Sequence, residues 1–274
     1  MISICMSLPL VSVVVPTKNS GAFLLSCLQS IKDQTYPAIE LIVVDNFSTD
    51  ETAQIAHRFT DQVFAKGPER SAQRNWGVQR ALGQYVCIID SDMELASAVI
   101  EQCVAKAQID PGIVSIVIPE ESFGEGFWAQ CKRLERSFYI GVPWLEAARF
   151  FKKDTYLLEG GYREEMVSGE DWDLSQRIRV HGKVSRTSAV IRHNEGALKL
   201  TDLLKKKYYY AKHFAKYRDK NKGSPFVKSQ VSPIARYRLF FANPRLLLKN
   251  PVLALGMLYM KTGEFACGAI ALLI

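Results

Sequence analysis

The chain has 274 residues, of which 48% are apolar and 23% are charged, with 35 Lys and Arg against 28 Asp and Glu. This ordinary globular composition excludes long disorder, a collagen-like fibre and a small disulfide-stapled scaffold. The length allows one large domain or two small ones, with enough apolar surface to form a substantial core.

The first ninety residues alternate between strand and helix patterns. Three short runs rich in β-branched residues predict strands that are buried on both faces: residues 11–15, 40–44 and 85–89. Apolar residues at helical spacing predict helices between these strands, at residues 21–34 and 70–82. This order predicts an α/β fold whose central sheet is Rossmann-like, doubly wound and mostly parallel.

Less regular patterns follow the predicted strands. Ser48 and Glu51 stand at the spacing of a capping box, which predicts a helix that runs through residue 59. Residues 123–128 and 139–144 mix Gly, Pro and aromatic residues, and we expect them to form loops shaped around a ligand. A helical pattern returns at residues 171–180.

The cysteines show neither a C-x-x-C pair nor the spacing of zinc ligands; they are Cys5, Cys27, Cys87, Cys103, Cys131 and Cys267. Cys27 and Cys87 stand inside apolar patterns, so we expect both to be buried as small hydrophobic side chains. A reducing compartment is the simplest explanation for cysteines without a pairing pattern. No basic segment precedes the first apolar run, as it would in a signal peptide. We therefore expect a cytoplasmic protein.

Positive charge is concentrated in the C-terminal part of the chain. Residues 199–249 contain fourteen Lys and Arg and two acids, a net charge of +12 within a chain whose total is +7. The apolar residues 252–274 are interrupted at 261–264, which predicts two halves too short to span a bilayer, either packed in the core or lying on a membrane. We divide the chain into a main α/β domain, residues 1–198, and a basic helical extension, residues 199–274. The charge of the extension suits an anionic partner such as the inner face of the cell membrane.

Polar residues follow three of the predicted strands. These are residues 16–19 (PTKN), 45–46 (DN) and 90–92 (DSD). In open α/β sheets ligands bind beyond the carboxyl ends of the strands, so a nucleotide lying across this edge would meet all three segments. The chain has neither G-x-G-x-x-G after residue 15 nor G-x-x-x-x-G-K-[ST], which disfavours a dinucleotide cofactor and a P-loop ATPase.

Two acidic clusters and one histidine are candidates for chemistry. Asp90 and Asp92 flank one small residue at the end of a buried strand, where both carboxylates can reach a single Mg²⁺ or Mn²⁺; alternatively they cap the next helix. Glu170 and Asp171 start a helix, where they either complement its dipole or supply a general base for a hydroxyl nucleophile. His193 is either a structural histidine or a further metal ligand beside those carboxylates.

Five segments in this order resemble one family: VSVVVPTKN, ELIVVDNFSTDET, ERSAQRNWGVQRALGQYVCIIDSDM, GGYREEMVSGEDWDLSQRI and VIRHNEG. The family is the large inverting family two of nucleotide-sugar glycosyltransferases, which have the A-type fold, and the resemblance covers residues 10–196. It implies metal-dependent transfer of a sugar from a UDP- or GDP-linked donor to a hydroxyl of a glycan or lipid-linked acceptor. Residues 176–179 (QRIR) lack the Trp of the Q-x-x-R-W tract of processive synthases, so we expect transfer of a single sugar.

The resemblance also assigns roles to individual residues. Asp171 would be the general base and Glu170 would position the acceptor or that base, while Asp92 and His193 would hold Mn²⁺ or Mg²⁺. The residues expected to bind the nucleotide sugar are Pro16, Thr17, Asn19, Asp45, Arg70, Arg74, Asp90 and Ser91. An acceptor hydroxyl would attack the anomeric carbon opposite the departing nucleoside diphosphate, in one displacement that inverts this centre.

Three other functions remain open at this point. A nucleotidyltransferase shares the parallel sheet and the metal-binding carboxylates, but no G-x-G-x-R-x-x-P-like loop follows the first strand. A nucleic-acid-binding protein would use the basic extension, although the acids clustered at the strand ends argue against this partner. A sugar-nucleotide sensor would bind the same donor and transfer nothing.

Overall fold

The computed structural model describes residues 8–273, so residues 1–7, with Cys5, and Ile274 lie outside it. The strands are β1 (Val11–Thr17), β2 (Ile39–Asp45), β3 (Val63–Ala65), β4 (Tyr85–Ile88), β5 (Met93–Leu95), β6 (Ile113–Val117), β7 (Glu120–Glu125), β8 (Ala148–Lys152), β9 (Lys183–Arg186) and β10 (Ile191–Ala197). The helices are α1 (Gly21–Lys32), α2 (Thr52–His57), α3 (Arg70–Arg80), α4 (Val99–Ile109), α5 (Gly126–Ser137), α6 (Lys153–Leu158), α7 (Glu170–Ile178), α8 (Leu200–Lys220), α9 (Pro225–Val231), α10 (Pro233–Phe241), α11 (Pro244–Lys249) and α12 (Pro251–Leu273).

A mixed sheet of seven strands forms the centre of the molecule, in the order β3-β2-β1-β4-β8-β6-β9. Its neighbouring strands run parallel except around β8, which is antiparallel to both β4 and β6. A second sheet has the order β5-β10-β7 and lies beyond the end of β4. The predicted α/β fold with a mostly parallel, doubly wound sheet is confirmed.

Helices cover both faces of the large sheet because its strands are apolar on both sides. Val11, Val13 and Val15 of β1 pack with α1, α2 and α4, whereas Val14 packs on the opposite face with α3 and α7. Cys27 and Cys87 are fully buried in the first of these cores, as predicted. Each buried valine, leucine or isoleucine side chain contributes up to about 1.5–3 kcal/mol of transfer free energy. The sheet is therefore a rigid base for the polar residues at its edge.

The helix predicted from the capping box is shorter than expected. α2 begins at Thr52, whose N–H donates to Asp50 Oδ1 at 3.1 Å. Ser48 turns instead to the end of β2, where its N–H and Oγ donate to Asp45 at 2.9 and 2.5 Å. The capping-box prediction was wrong because the charged Asp45 carboxylate is a strong acceptor and takes the serine hydroxyl.

Residues 123–128, predicted to form a loop, instead end β7 and begin α5. Gly124 lies where β7 meets β10, and a Cβ at this position would stand 2.7 Å from the carbonyl oxygen of Gly196. Gly126 has a φ of +80°, which glycine adopts without strain, and it starts α5. Gly124 allows β7 and β10 to pair closely, and Gly126 allows the tight junction between β7 and α5. Residues 139–144 form turns, as predicted.

The C-terminal helices pack onto the preceding part of the chain through α5 and through Met166 and Trp172, which contact Tyr217 of α8. α8 and α12 contact each other, and α12 also contacts α5. The predicted break at residues 261–264 is absent from the described chain, since α12 is continuous across it, and Lys261 and Glu264 are both buried. Among residues 8–273, no helix is long and apolar enough to cross a bilayer.

Candidate active site

Parallel register brings the polar strand ends to one edge of the large sheet. Thr17 of β1 lies beside Asp45 of β2, and Asp90 follows β4 on the other side of β1. A cavity of about 330 Å³ opens near this edge, bounded by the second sheet and by α5, α7 and α8. Five of the predicted site residues line it: Arg70, Asp90, Glu170, Asp171 and His193.

Arg74, on α3, joins the two acidic clusters. Its side chain is fully buried, and its guanidinium donates to Asp90 Oδ1 at 2.6 Å and to Asp171 Oδ1 at 3.0 Å, with Glu170 Oε1 at 3.4 Å. Burial alone would raise the pKa of Asp90, but the charges of Arg74 and Arg149 outweigh burial and hold that pKa far below its usual value. Asp90 therefore stays ionised. Because Arg74 is fully buried, it positions the carboxylates around it rather than reaching a ligand itself.

Arg149, on β8, is a second buried cation that sequence analysis missed. Its Nε donates to Glu120 Oε1 at 2.6 Å and its Nη1 to Asp90 Oδ2 at 3.3 Å, while Nη2 lies 3.9 Å from Asp171 Oδ2. A lone arginine inside the apolar run ARFF was the available signal, because an unpaired charge is rarely buried. Together, Arg74 and Arg149 hold the strand-end acids in a fixed arrangement.

Glu170 and Asp171 lie at the N-terminus of α7 in different environments. Glu170 is buried and forms an ion pair with Arg70, whose Nε lies 2.8 Å from Glu170 Oε1. The pKa of Glu170 is raised because burial and the neighbouring Asp171 outweigh Arg70 and Arg74. Asp171 is more open, with 28% of its side chain exposed toward the cavity. Only one of its oxygens, Oδ1, is taken by Arg74. Asp171 is therefore the member of the pair that an incoming ligand can reach.

Asp92 and His193 meet where β5 pairs with β10. His193 Nε2 lies 3.3 Å from Asp92 Oδ2, and His193 Nδ1 lies 4.0 Å from Glu120 Oε2. Burial would lower the pKa of His193, but the hydrogen-bonding and charge of Asp92 and Glu120 outweigh it and raise that pKa to about 9. An imidazole and a carboxylate in contact are ligand types that suit Mn²⁺.

The chemistry of this pair fits a divalent ion that is shared with a substrate. Within the described residues, no three His, Cys, Asp or Glu side chains form a group that encloses a metal. Two protein ligands, Asp92 and His193 Nε2, leave coordination positions for phosphate oxygens and water, which Mg²⁺ and Mn²⁺ commonly retain. The alternative that Asp90 and Asp92 cap a helix does not hold, because β5 follows them.

The remaining predicted ligands lie along the same sheet edge but do not line the 330 Å³ cavity. Asn19, with a φ of +47°, accepts through Oδ1 from the N–H of Thr49, and its own N–H donates to Ser48 Oγ. Ser91 Oγ donates to Ser20 Oγ at 2.9 Å. Pro16 and Thr17 are buried at the end of β1. These residues form a polar ledge, consisting of Pro16, Thr17, Asn19, Asp45 and Ser91, beside the cavity.

A basic wall faces the carboxylates across the cavity. It comprises Lys132 and Arg136 of α5 with Lys206 and Lys207 of α8. Tyr210, one helical turn on, lies under the Arg70 guanidinium at 5.4 Å. Sequence analysis noted the lysine-rich helix but did not predict that α8 turns part of its basic face to this cavity.

The chain is similar to bacterial glycosyltransferases. It is 37% identical over 106 residues to glycosyltransferase GlyG of Streptococcus pneumoniae, across 36% of this chain and 35% of that protein. It is 25% identical over 221 residues to the GalNAc(5)-diNAcBac-PP-undecaprenol beta-1,3-glucosyltransferase of Campylobacter jejuni, across 77% of this chain and 65% of that protein. The chain thus spans less than two thirds of the length of either relative.

Solved structures share the fold at low identity. A mannosyltransferase from Pyrobaculum calidifontis in complex with GDP-Man and Mn²⁺ superposes with a TM-score of 0.61 at 17% identity, covering 97% of this chain and 87% of that one. S. aureus TarS 1–349 in complex with UDP-GlcNAc superposes with a TM-score of 0.51 at 17% identity, covering 96% of this chain and 90% of that one. Both superpositions extend through the C-terminal helices of this chain.

The model of the family Glycosyl transferase family 2 matches residues 12–162. This range includes most of the large sheet and the strand ends that carry Asp45, Asp90 and Asp92, whereas Asp171 and His193 lie beyond it. The match covers more than half of the chain and agrees with the mixed α/β fold. The chain therefore belongs to glycosyl transferase family 2.

Proposed function

We propose that this chain is an inverting, metal-dependent glycosyltransferase that moves one sugar from a UDP- or GDP-linked donor to a hydroxyl acceptor. The observation that carries the proposal is the guanidinium of Arg74, which binds both Asp90 and Asp171. One buried group thereby fixes the separation between the donor side of the cavity and the candidate base. A single displacement needs this fixed separation, because attacking and leaving atoms must be aligned at the same moment.

The donor nucleotide fits the polar ledge at the carboxyl edge of the sheet. Asp45 offers carboxylate oxygens to ribose hydroxyls or to N–H groups of the base, and Asn19 is exposed beside it. Arg70, at the N-terminus of α3 and partly exposed, places a cation near the phosphates. Asp90 and Ser91 connect this ledge to the sugar-binding end of the cavity.

Asp92 and His193 are the residues that would hold the divalent ion. When bound, Mn²⁺ or Mg²⁺ stabilises the negative charge that develops on the departing nucleoside diphosphate. To hold the ion, His193 would have to give up the proton that its contact with Asp92 favours.

Asp171 is the group that removes the acceptor proton. Its Oδ2 lies 3.9 Å from Arg149, beyond hydrogen-bond distance, which leaves this oxygen open to a hydroxyl in the cavity. As the hydroxyl oxygen bonds to the anomeric carbon, its proton passes to Asp171 Oδ2. The bond from the anomeric carbon to the phosphate oxygen breaks, and its electron pair stays on the nucleoside diphosphate. Attack opposite the leaving group inverts the anomeric centre, while Glu170 keeps the start of α7 in place.

The basic wall supports an acceptor that carries phosphate. Lys132 and Lys207 of this wall, together with Lys261 of α12, share two carboxylates, those of Glu135 and Glu264. Lys132 and Lys261 each contact both carboxylates within 3.2 Å, whereas Lys207 is 3.7 Å from Glu264. One cation is therefore in excess, and an anionic group on the acceptor would neutralise it.

A lipid-linked or cell-surface glycan intermediate is an acceptor with such a group. The Campylobacter jejuni relative is named for an acceptor linked to PP-undecaprenol. We place the reaction of this chain at the cytoplasmic side of a membrane, where lipid-linked acceptors present their sugars to nucleotide donors. We expect no nucleic acid as a partner, since acidic residues line the cavity at the strand ends.

Turnover of a panel of UDP- and GDP-sugars tests the proposal. In the absence of an acceptor, water replaces the hydroxyl, and proton NMR reports the anomeric configuration of the sugar first released. We expect one donor class to be cleaved to nucleoside diphosphate with inversion, and only when Mn²⁺ or Mg²⁺ is present. Retention of configuration, turnover in EDTA, or release of pyrophosphate, as by a nucleotidyltransferase, would contradict the proposal.

A further inference from the structure

The outer face of α12 is apolar and exposed. Val252, Leu255 and Tyr259 follow one another by three and four residues and are 66%, 70% and 67% exposed. Thr262, Ala266 and Ile270 continue the same spacing on the exposed side. This spacing defines one continuous stripe along a helix of 23 residues, and no charged residue lies on it.

The charged residues of α12 point the other way. Lys261 and Glu264 are its only Lys, Arg, Asp or Glu side chains, and both are buried. They form ion pairs with each other and with Glu135 and Lys132 of α5. A surface helix that faces water has the reverse arrangement, with charges outside and apolar residues inside. The orientation of α12 therefore suits an apolar neighbour on its outer face.

The helices before α12 extend this apolar face. Ile234 and Phe241 of α10 and Leu248 of α11 are 66%, 58% and 74% exposed, and α11 packs against α12. We call these three residues, with Val252, Leu255 and Tyr259, the docking face. Large exposed apolar side chains on three helices that pack in sequence, α10 on α11 and α11 on α12, mark an interaction surface rather than ordinary surface composition.

Exposed charge on the segment that carries the docking face, residues 221–273, has a single sign. Beyond residue 220 the sequence contains one acid, Glu264, which is buried. The exposed charged residues of this part of the chain are Lys222, Lys228, Arg238, Arg245 and Lys249. Pairing two copies through this face would bring like charges together, which costs free energy, whereas an anionic bilayer attracts every one of them.

We propose that α10, α11 and α12 form a membrane-docking face that lies in the plane of an anionic bilayer. The apolar side chains enter the boundary between headgroups and acyl chains, and Arg245 and Lys249 contact lipid phosphates. The helices remain packed on α5 and α8, so the attachment is peripheral. This inference rests on exposure and charge alone and is independent of the proposed reaction.

Docking by this face also orients the cavity. α12 packs on α5 and α8, which carry the basic wall of the cavity, and Lys132 and Lys207 of this wall contact Glu264 on the buried side of α12. A bilayer against α12 therefore lies one helix layer away from Lys132 and Lys207. A headgroup at the membrane surface would have a short path to that wall.

Flotation of the full chain with lipid vesicles tests the docking face. We expect binding to vesicles of phosphatidylglycerol and phosphatidylcholine, and little binding to phosphatidylcholine alone. Leu255→Glu combined with Tyr259→Glu should reduce binding at least about tenfold, because it places two carboxylates on the apolar stripe. Ile109→Glu is the matched control, since Ile109 of α4 is 83% exposed and lies outside the docking face. It should bind as the wild type does.

Three outcomes would overturn the inference. The wild type failing to float with anionic vesicles is one, and equal flotation of the double variant and the wild type is another. A wild-type dimer in solution that the double variant converts to monomers would assign the face to a second copy instead. Because all substituted side chains are exposed, unchanged circular dichroism and thermal unfolding would confirm that the variants are folded.

Discussion

Asp90 and Asp171 accept hydrogen bonds from the same guanidinium, that of Arg74, although 81 residues separate them in the sequence. Nη2 of Arg74 contacts Asp90 and Nη1 contacts Asp171. The rigid fork of an arginine sets both distances together, which a flexible lysine could not do. Arg74 thereby fixes the position of Asp90, on the proposed donor side of the cavity, relative to Asp171, the proposed base.

Replacing Arg74 should cost both stability and activity. In Arg74→Met, the carboxylates of Asp90, Glu170 and Asp171 lose a shared cation, and the loss of one partner from a buried ion network costs about 3–5 kcal/mol. Urea denaturation measures this change in the free energy of unfolding. Arg70→Met is the comparison, because Arg70 is 39% exposed and contacts Glu170 from outside. Equal stability of the two variants would show that Arg74 is not the organising residue.

The Asp92 and His193 pair should control metal-dependent donor binding. We expect Asp92→Ala and His193→Gln each to abolish the rise in thermal unfolding temperature that Mn²⁺ with UDP or GDP gives the wild type. The reason is that each variant removes one of only two proposed protein ligands. His57→Gln, at an exposed position at the end of α2, should respond as the wild type does. A full metal-dependent shift in both site variants would place the ion elsewhere.

The charge on Lys207 should make turnover of a phosphate-bearing acceptor depend on pH. Glu264 favours its charged form, but burial and the cations Lys261 and Lys132 outweigh this and lower the pKa of Lys207 to about 8. Below that pH the side chain is charged and attracts phosphate, and above it the attraction is lost. We therefore expect kcat/KM for such an acceptor to fall as pH rises through about 8, since this ratio reports the free enzyme.

Lys207→Gln should flatten that limb of the pH profile and raise KM, whereas Lys205→Gln, at an exposed neighbouring position, should keep the profile. An unchanged pH profile in Lys207→Gln would show that Lys207 does not bind the phosphate of the acceptor.

Gly169 should be required at the start of α7. It has a φ of +81°, and a Cβ there would stand 2.6 Å from the Tyr217 ring. Gly169→Ala should cost about 1–3 kcal/mol of stability, because backbone strain and the clash both act on the turn that presents Asp171. Gly223→Ala is the control, since a Cβ at Gly223 meets no atom within 4 Å. Thermal unfolding compares the two, and similar losses would argue against a special role for this turn.

The sequence predicted the strand ends well because β-branched runs stop where the polar residues begin. Asp45 and Asp90 follow such runs, and parallel register then brings them to one edge. Arg149 was missed because its partners, Glu120 and Asp90, are distant in sequence and no spacing connects them. The continuity of α12 was missed for the same reason, since Lys261 and Glu264 look like a polar break until α5 supplies Glu135 and Lys132.

Asp171→Asn gives the most direct test of the central claim, that Asp171 is the base held opposite the donor by Arg74. Asparagine keeps the shape and can still accept a hydrogen bond from Arg74, but it cannot take a proton. With Mn²⁺ present, we expect donor affinity by calorimetry to stay within about twofold and turnover to fall at least about a hundredfold. Turnover near the wild-type rate, with donor binding intact, would contradict the account.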